Sequence, residues 1–374
     1  MDESMSEVQD WRGFTATPED VLFFRDSRPS TIGADHYLQS IFPPLPSTLY
    51  GMLRTCRLMD TGGDLENLGE KRWSSLAPEI RREVGEWGSL GTLRLRGPWL
   101  VREEAGGRQE MLFPAPADLG LVTGESGAID RVVRYLPTTA ANGQGWSHTL
   151  ALLEPKIKSE GRWTPLPGGE PAVPATDWLV TREGLTQWLA GTTPDPGSFA
   201  RSTDLWLTEQ RTGVGIQSDR RTAKDGMLYT FGFVRLLRGV SLGFEISGST
   251  ITSGVTATLG GEGRLVRLDH GPSLSESIRA GRRDNEMSAL YLATPGVFAG
   301  DVASRPASLS IRAAAVRSMT HAGGWDLAKK QPKPLRRAVP AGSVYYTDTA
   351  DVASFMKISE GHEEGFGVVL AGAY

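Results

Sequence analysis

The stretch "SIFPPLPSTLYGMLRT" at residues 40–55 places three prolines directly before a segment with helical periodicity. The apolar positions at the i, i+3, i+4 and i+7 spacing of one helix face are Leu49, Met52, Leu53 and Cys56. Ser47 is the predicted N-cap, because its hydroxyl can accept a hydrogen bond from an amide of the first turn. Since proline fixes one backbone dihedral, we expect a stiff turn followed by an amphipathic helix.

The same helix start predicts a phosphate-binding turn. The first amides of a helix carry partial positive charge, and Arg54 follows Ser47 and Thr48 within two turns. Gly51 removes a side chain from this segment, which lets another backbone come close. On local grounds alone, an ordinary capped helix with its arginines in solvent is the simpler interpretation.

Composition predicts a soluble, strand-rich globular protein. The 374 residues suffice for two ordinary domains, and the hydrophobic fraction is 39% against 22% charged. Glycine and proline together make about 18% of the chain, which indicates many turns. Strand-like segments interleaved with few helices favour an α+β fold over a doubly wound sheet.

The sequence lacks the signals of several other protein classes. A single cysteine, Cys56, excludes an intramolecular disulfide. Without a signal-peptide pattern or an apolar run of the roughly 20 residues that span a bilayer, we expect a cytoplasmic protein with no membrane partner. Five scattered histidines argue against zinc, and no nucleotide-binding glycine motif occurs. We therefore expect no cofactor, no metal and no catalytic residue.

Predicted elements divide the chain into two halves. In the first half, residues 21–24 predict a buried strand, and "GTLRLRGPWLVR" and "EMLFPAPADLGLV" predict a strand pair around "EEAGGRQ". Residues 136–175, rich in proline and glycine, predict a long loop or insertion, and a helix follows at 181–190. The segment "GTTPDPGSFARSTD" predicts the boundary between the halves.

The second half is predicted to consist mostly of strands. "GMLYTFGFVRLL" and "GVSLGFEIS" predict two strands joined by "RG". Four further strands are predicted at "GGEGRLVRL", "LSIRAAAV", "SVYYT" and "GFGVVLAG", with a helix at 273–283.

Basic residues are segregated although the net charge is −4. Residues 312–337 contain seven lysines or arginines against one acid, whereas the chain from residue 345 is acidic. Three patches follow from this pattern: Arg25 and Arg28 around Asp26; Arg211, Gly213, Arg220 and Arg221; and, after Trp325, Lys333, Arg336 and Arg337. Arginine forks suit phosphates, and aromatic side chains beside cations suit single-stranded RNA. For any one patch alone, a solvated surface is the simpler interpretation.

Several motifs occur in an order that resembles one family. They are "DVLFFRDSRPS", "FPPLPSTLYGMLRT", "LFPAPADL", "RTGVGIQSDRRTAKDGMLYTFGFVRL", "GGEGRL", "LATPGVF", "GWDLAKKQPKPLRRAVPAGSVYY" and "EEGFGVVLAG". From about residue 12 onward the chain resembles the third subunit of the type III-B CRISPR effector, the Cmr complex, within the repeat-associated (RAMP) superfamily. The resemblance implies tandem ferredoxin-like, RRM-like domains, placed at 1–195 and 196–374.

The resemblance also implies a function and a site. It implies a non-catalytic subunit that holds the 5′ tag of the crRNA and contacts the large palm-containing subunit and the backbone RAMP subunit. Ser47, Thr48 and Arg54 match the region near the tag, and "IQSDRRTAKDGMLY" resembles the hairpin that RAMP subunits lay across guide RNA. Gly365 and Gly367 match the C-terminal glycine-rich loop, which here carries Glu363 and Glu364 instead of a basic residue. That loop contacts RNA, packs on the sheet, or faces a protein partner.

Three other functions stay open at this point. A processing endoribonuclease of the same superfamily would use His36 as general base, beside Tyr37, because that chemistry needs a group titrating near neutrality. Metal-assisted cutting of target RNA would use Asp26, although the flanking arginines give this residue a simpler structural role. A purely structural module would direct its basic patches at acidic protein surfaces.

Overall fold

The computed structural model of the chain describes residues 10–25, 37–60, 73, 76–86, 89–137, 153–159, 162–165, 172–217, 222–274, 288–298, 311–326, 331–347, 355 and 357–373. The helices within these ranges are α1 (Pro46–Met59), α2 (Pro78–Val84) and α3 (Arg182–Leu189). None of them is long and apolar enough to cross a membrane. The described chain is a strand-rich mixture of α and β structure, as predicted.

The strands are numbered in chain order. The first twelve are β1 (Arg12–Pro18), β2 (Tyr37–Gln39), β3 (Arg94–Glu103), β4 (Gln109–Pro114), β5 (Leu119–Thr123), β6 (Ile129–Pro137), β7 (Leu153–Ser159), β8 (Arg162–Pro165), β9 (Val173–Pro174), β10 (Trp178–Thr181), β11 (Phe199–Arg201) and β12 (Trp206–Ile216). The others are β13 (Ala223–Leu236), β14 (Val240–Ser247), β15 (Val255–Thr258), β16 (Leu265–His270), β17 (Ser288–Leu292), β18 (Ile311–Ala315), β19 (Thr320–Ala322), β20 (Trp325–Asp326), β21 (Gln331–Pro332), β22 (Arg336–Ala338), β23 (Val344–Thr347) and β24 (Val369–Ala373).

An eight-stranded sheet forms the main layer, in the order β11-β10-β4-β3-β14-β1-β16-β15. Strand β14 runs antiparallel to both β3 and β1, and all its residues are buried. Helix α1 adds Leu49, Met52 and Leu53 to the same core, where they join Phe14 and Phe244. The predicted apolar helix face is therefore confirmed, because burial follows the local 3.6-residue period.

The start of α1 differs from the prediction. The helix begins at Pro46, Leu45 is the N-cap with an extended backbone, and no side chain caps the first turn. Ser47 therefore lies inside the helix, and its prediction as N-cap was wrong. Proline is favoured at the first helical position because its fixed φ fits and its missing N–H has no intrahelical partner there.

The strand predicted at residues 21–24 is not present. Residues 21–24 are buried but form no strand; Leu22 only exchanges two backbone hydrogen bonds of 2.8 Å with Val234.

Strands β13 and β14 both exist, but they do not pair with each other. Strand β13 pairs with β12 and, in parallel, with β2, in the order β12-β13-β2. The fully buried β14 instead lies between two strands, β3 and β1, and pairs with both.

The segment "EMLFPAPADLGLV" forms two strands instead of one. It divides at its prolines into β4, which pairs with β3 as predicted, and β5, which belongs to a five-stranded sheet in the order β8-β7-β6-β5-β9. Part of the predicted loop at 136–175 is also ordered in this sheet, as β7 and β8. The predicted helix at 273–283 falls mostly outside the described residues, whereas the helix at 181–190 is confirmed as α3.

A buried carboxylate joins the remaining layers. The strands β18-β23-β17-β24 form a four-stranded sheet. Asp118 accepts hydrogen bonds from Arg134 Nε at 2.9 Å, from Trp188 Nε1 at 3.0 Å and from the Tyr346 hydroxyl at 2.7 Å. These donors lie on β6, α3 and β23, so one side chain connects the five-stranded sheet, a helix and the four-stranded sheet. Burial lowers the pKa of Arg134, but Asp118 outweighs it and raises that pKa above its ordinary value.

The eight-stranded sheet contains strands from both sides of residue 195. Strands β1, β3, β4 and β10 precede that residue, whereas β11, β14, β15 and β16 follow it. The division into 1–195 and 196–374 stays a prediction. The sheet order shows that neither part builds this layer alone.

Candidate nucleic-acid interface

A small apolar cluster brings several predicted segments together. Leu45, at the end of the proline turn, packs against Val297, Ala322, Ala338 and Phe366. Ala322 and Ala338 belong to the basic segment after residue 312, and Phe366 belongs to the glycine-rich loop. We call these five residues the turn cluster. Segments that are far apart in sequence thus meet beside the N-terminus of α1.

The base of the β12–β13 hairpin adjoins the same turn. Phe42 packs on Trp206, the first residue of β12, with ring centroids 4.9 Å apart. The Ser40 hydroxyl donates a hydrogen bond of 2.7 Å to the Gly232 carbonyl on β13. Ser40 also forms an isolated bridge with the exposed Arg25. The predicted residues Arg25, Ser47 and Thr48 are therefore grouped around one stiff turn.

A two-stranded ribbon carries the third basic patch. Strand β19 pairs with β22, and β20 pairs with β21. We call residues 320–326 and 331–338 the basic ribbon. Lys333 and Arg337 are exposed and form no ion pair within the described chain, whereas Arg336 Nη1 lies 2.6 Å from Glu360 Oε2. Two of the three predicted cations are thus available to an anion.

The glycine-rich loop is a packed element of the interior. Gly365 and Gly367 are buried and have positive φ values of 97° and 68°. Their amides donate to the carbonyls of His362 at 3.1 Å and Pro295 at 2.8 Å. A Cβ on Gly367 would lie 2.4 Å from the Ser359 Cβ, so only glycine fits. A Cβ on Gly365 would lie 3.1–3.3 Å from Gly97 and Leu95 of β3, so the loop packs against the main sheet. Contact of these two glycines with RNA stays a prediction.

Arg54 is held within the protein. Its guanidinium lies over the Trp73 ring, 5.4 Å from the centroid. Burial lowers the pKa of Arg54 from its ordinary value, although Tyr50, Glu364 and Asp326 favour its charged form. Glu364 belongs to the glycine-rich loop and Asp326 to the basic ribbon. Burial and these acidic neighbours make Arg54 less available to phosphate than an exposed arginine would be.

Gly213 and Arg211 lie on one face of the β12–β13 hairpin. Gly213 pairs with Tyr229, and a Cβ on Gly213 would lie 2.4 Å from that ring, so the glycine makes room for it. Arg211 Nε donates to Glu209 at 2.7 Å and its Nη2 donates to Asp20 at 3.2 Å. Arg211 is therefore already engaged with two carboxylates.

The sequence did not indicate the rest of this ionic cluster. Arg235 Nε donates to Glu209 at 2.6 Å, and Arg235 Nη2 donates to Asp20 at 3.0 Å. Hydrogen bonds from Arg235 and Arg211 lower the pKa of Glu209 below its ordinary value. Alternation along β12 could have placed Glu209 and Arg211 on one face. No local signal points to Asp20, because it is 191 residues away from Arg211.

Several predicted residues fall outside the described part of the chain. They are Asp26, Arg28, His36, Arg220 and Arg221. Within the described ranges, no three His, Cys, Asp or Glu side chains are placed to hold a metal ion.

A known family matches the chain over nearly its whole length. The model of the CRISPR-associated protein family Cas_Cmr3 matches residues 14–374. The chain belongs to this family. The resemblance inferred from the ordered motifs is therefore confirmed.

This Cas_Cmr3 chain is similar to chains in solved structures. One is a chain from the cryo-EM structure of type III-B Cmr-beta bound to cognate target RNA, with a TM-score of 0.52 and 14% identity over 96% of each chain. A second is from type III-B Cmr-beta bound to cognate target RNA and AMPPnP, with a TM-score of 0.49 and 16% identity over 90% of this chain and 86% of that chain. No curated protein sequence matches this one. The first likeness supports a common fold.

Proposed function

We propose that this chain is a non-catalytic RNA-binding and assembly subunit of a type III-B CRISPR effector in antiviral defence. It holds the 5′ tag of the crRNA and bridges the large palm-containing subunit to the backbone RAMP subunit. We assign it tandem ferredoxin-like RAMP domains, as the family resemblance implies. The observation that carries the proposal is the turn cluster, which gathers the proline turn, the basic ribbon and the glycine-rich loop of a Cas_Cmr3 protein.

The geometry suits an RNA backbone of fixed shape. Pro46 and the packed Leu45 hold the first turn of α1, so little conformational entropy is lost when a ligand binds there. Lys333 and Arg337 supply exposed positive charge on the ribbon that joins the same cluster. Phosphate contacts of this kind position an RNA strand, whereas stacking and backbone hydrogen bonds recognise its bases.

Salt dependence of binding tests the ribbon's role. The full chain, with Lys333→Ala and Arg337→Ala together, is titrated with single-stranded RNA carrying the tag. Each phosphate contact to a single strand contributes about 0.7 to the slope of log K against log salt, so losing two lowers it by about 1.4. Arg82 and Arg238 are also exposed and outside the ion pairs of the described chain. Their double alanine variant is the control and should keep the slope.

RNA recovered from the assembled complex tests the tag assignment. We expect uncut RNA that begins with one invariant short leader, and weaker guide retention after Arg220→Ala with Arg221→Ala. Equal slopes for the ribbon variant and its control, together with unchanged retention at physiological salt, would reject the proposal. Cleavage of repeat RNA by the wild-type chain, abolished by His36→Ala, would reject its non-catalytic part.

A further inference from the structure

An indole on the basic ribbon has no role in the core. Trp325 is 53% exposed and pairs with Pro332 across the β20–β21 ladder. Its neighbour Asp326 is half-buried, as expected where side chains alternate between the two faces of a strand. Trp325 therefore lies on the exposed face of the strand. A large aromatic surface left in water on a rigid element is typical of a binding surface.

The charge around Trp325 favours an anionic partner. The amide of Lys333 donates a hydrogen bond of 2.9 Å to the Gly324 carbonyl, and the Lys333 side chain lies over Gly324, the residue before Trp325. Arg337 pairs with His321 nearer the base of the ribbon. Neither cation has an ion-pair partner in the described chain. An exposed aromatic side chain on a ribbon that also carries two available cations suits a nucleotide strand better than an apolar protein surface.

The ribbon also fixes the position of the indole. Ala322 precedes β20 and Ala338 ends β22, and both are buried in the turn cluster. Trp325 therefore extends from an anchored base that also holds the start of α1. An indole has only two side-chain torsions to immobilise, so stacking on it costs little entropy.

We propose that Trp325 is a stacking platform for one unpaired nucleobase of the bound RNA, with Lys333 and Arg337 holding the adjacent phosphates. This inference rests on the proposed function and adds a base contact that the phosphate ligands do not provide. Because every base has a π face, the platform accepts any base and sets the register of the strand.

Abasic scanning of the RNA tests the platform in the full chain. The probe is the tag-bearing single-stranded RNA with an abasic nucleotide at one position at a time. We expect Trp325→Ala to weaken the binding of intact RNA by about 5- to 150-fold, the range for loss of one stacked aromatic side chain. Trp325→Phe should keep most of the affinity. Leu335, 47% exposed on the same ribbon, gives the matched control Leu335→Ala, which should bind as the wild type does.

The decisive readout is coupling between protein and RNA changes. One abasic position should weaken wild-type binding by a factor close to that of Trp325→Ala, and should have no further effect on that variant. If every abasic position affects both proteins equally, Trp325 does not stack on a base. Unchanged RNA affinity with lost binding of a partner subunit would make Trp325 a protein anchor instead.

The ribbon cations separate this inference from the proposed function. If the Lys333/Arg337 variant loses RNA binding and Trp325→Ala has no effect, the proposed RNA-binding function stands and the stacking platform is rejected. No loss in either variant rejects the platform; if guide retention is also unchanged after Arg220→Ala with Arg221→Ala, the proposed function is rejected as well.

Discussion

Individual arginines near α1 have different roles although they share one short segment. Arg54 stacks on Trp73, and Arg57 is buried with its Nε 2.7 Å from Glu83 Oε2. Arg57 also pairs with Asp60. An arginine satisfied in this way stabilises the fold and does not bind phosphate. Exposure and ion pairing therefore distinguish binding cations from structural ones, as Lys333 and Arg337 illustrate.

Glu83→Gln should destabilise the chain strongly. Glu83 accepts hydrogen bonds from Arg57, the Ser249 hydroxyl and the Thr250 amide, and its neutral replacement leaves a buried guanidinium undercompensated. Removing one partner of a buried pair costs about 3 kcal/mol or more of unfolding free energy. Chemical denaturation measures the loss. Glu86→Gln is the control, because Glu86 is exposed and lies 3.8 Å from Arg81; a loss equal to that of the control would contradict the prediction.

The stability of wild type and of Glu83→Gln should depend on pH to different extents at acidic pH. Burial raises the pKa of Glu83, but hydrogen bonds from Arg57, Ser249 and Thr250 outweigh it and lower that pKa below its ordinary value. The charge therefore contributes stability that is complete above the unfolded-state pKa and is lost as pH falls through the folded-state pKa. Wild type should lose more stability than Glu83→Gln between about pH 6 and pH 3.

At the scale of elements, α1 combines a conventional buried face with an unexplained glycine. Its apolar face packs into the main core, whereas Gly51 is exposed and a Cβ there would meet no atom within 4 Å. Glycine in a helix interior costs roughly 1 kcal/mol against alanine. Nothing inside the described chain requires that cost. An external backbone that approaches the helix would explain it.

Gly51→Ala should therefore have opposite effects on folding and on assembly. We expect unfolding free energy to rise by about 0.5–1 kcal/mol and binding of RNA or a partner subunit to weaken. Gly197→Ala is the control, since a Cβ there also meets open space but lies outside α1. Thermal denaturation and binding are measured on the same preparations. A more stable variant with undiminished binding would show that nothing packs at Gly51.

Local pattern predicted the elements better than their partners. The face of α1 and the helix at α3 follow from side-chain spacing, which depends only on neighbouring residues. The failed Ser47 cap was decided by Pro46, one position away, because proline takes the first helical position. The partners of β14 lie far away in sequence, so no local signal could identify β1 and β3.

The sequence likewise indicated some residues of the candidate site but not the partners that surround them. Clustered cations and Trp325 are visible in the sequence, and the structure leaves Lys333, Arg337 and Trp325 exposed. The sequence could not show that Asp20 engages Arg211, or that Asp326 and Glu364 screen Arg54. Those partners are brought close only by tertiary packing, and each one decides whether an arginine is available to RNA.

At the scale of the whole molecule, layers are joined by contacts between distant segments. Asp118 links three layers through Arg134, Trp188 and Tyr346. Arg317 Nη1 donates a hydrogen bond of 3.1 Å to the Thr176 carbonyl. The turn cluster likewise joins residue 45 to the C-terminal loop. A site assembled in this way depends on the integrity of the whole chain.

Fragments divided at residue 195 should therefore fail to fold separately. In 1–195 alone, β1 has neither of its neighbours, β14 and β16, and the fully buried Phe14 becomes exposed. In 196–374 alone, β14 has two unpaired edges and a bare apolar face, which favours aggregation. We expect neither fragment to unfold cooperatively in a denaturant titration, whereas co-expression restores one complex with the transition of the intact chain. A cooperative transition for 1–195 by itself would show that its sheet closes without β14, and would make the two halves independent folding units.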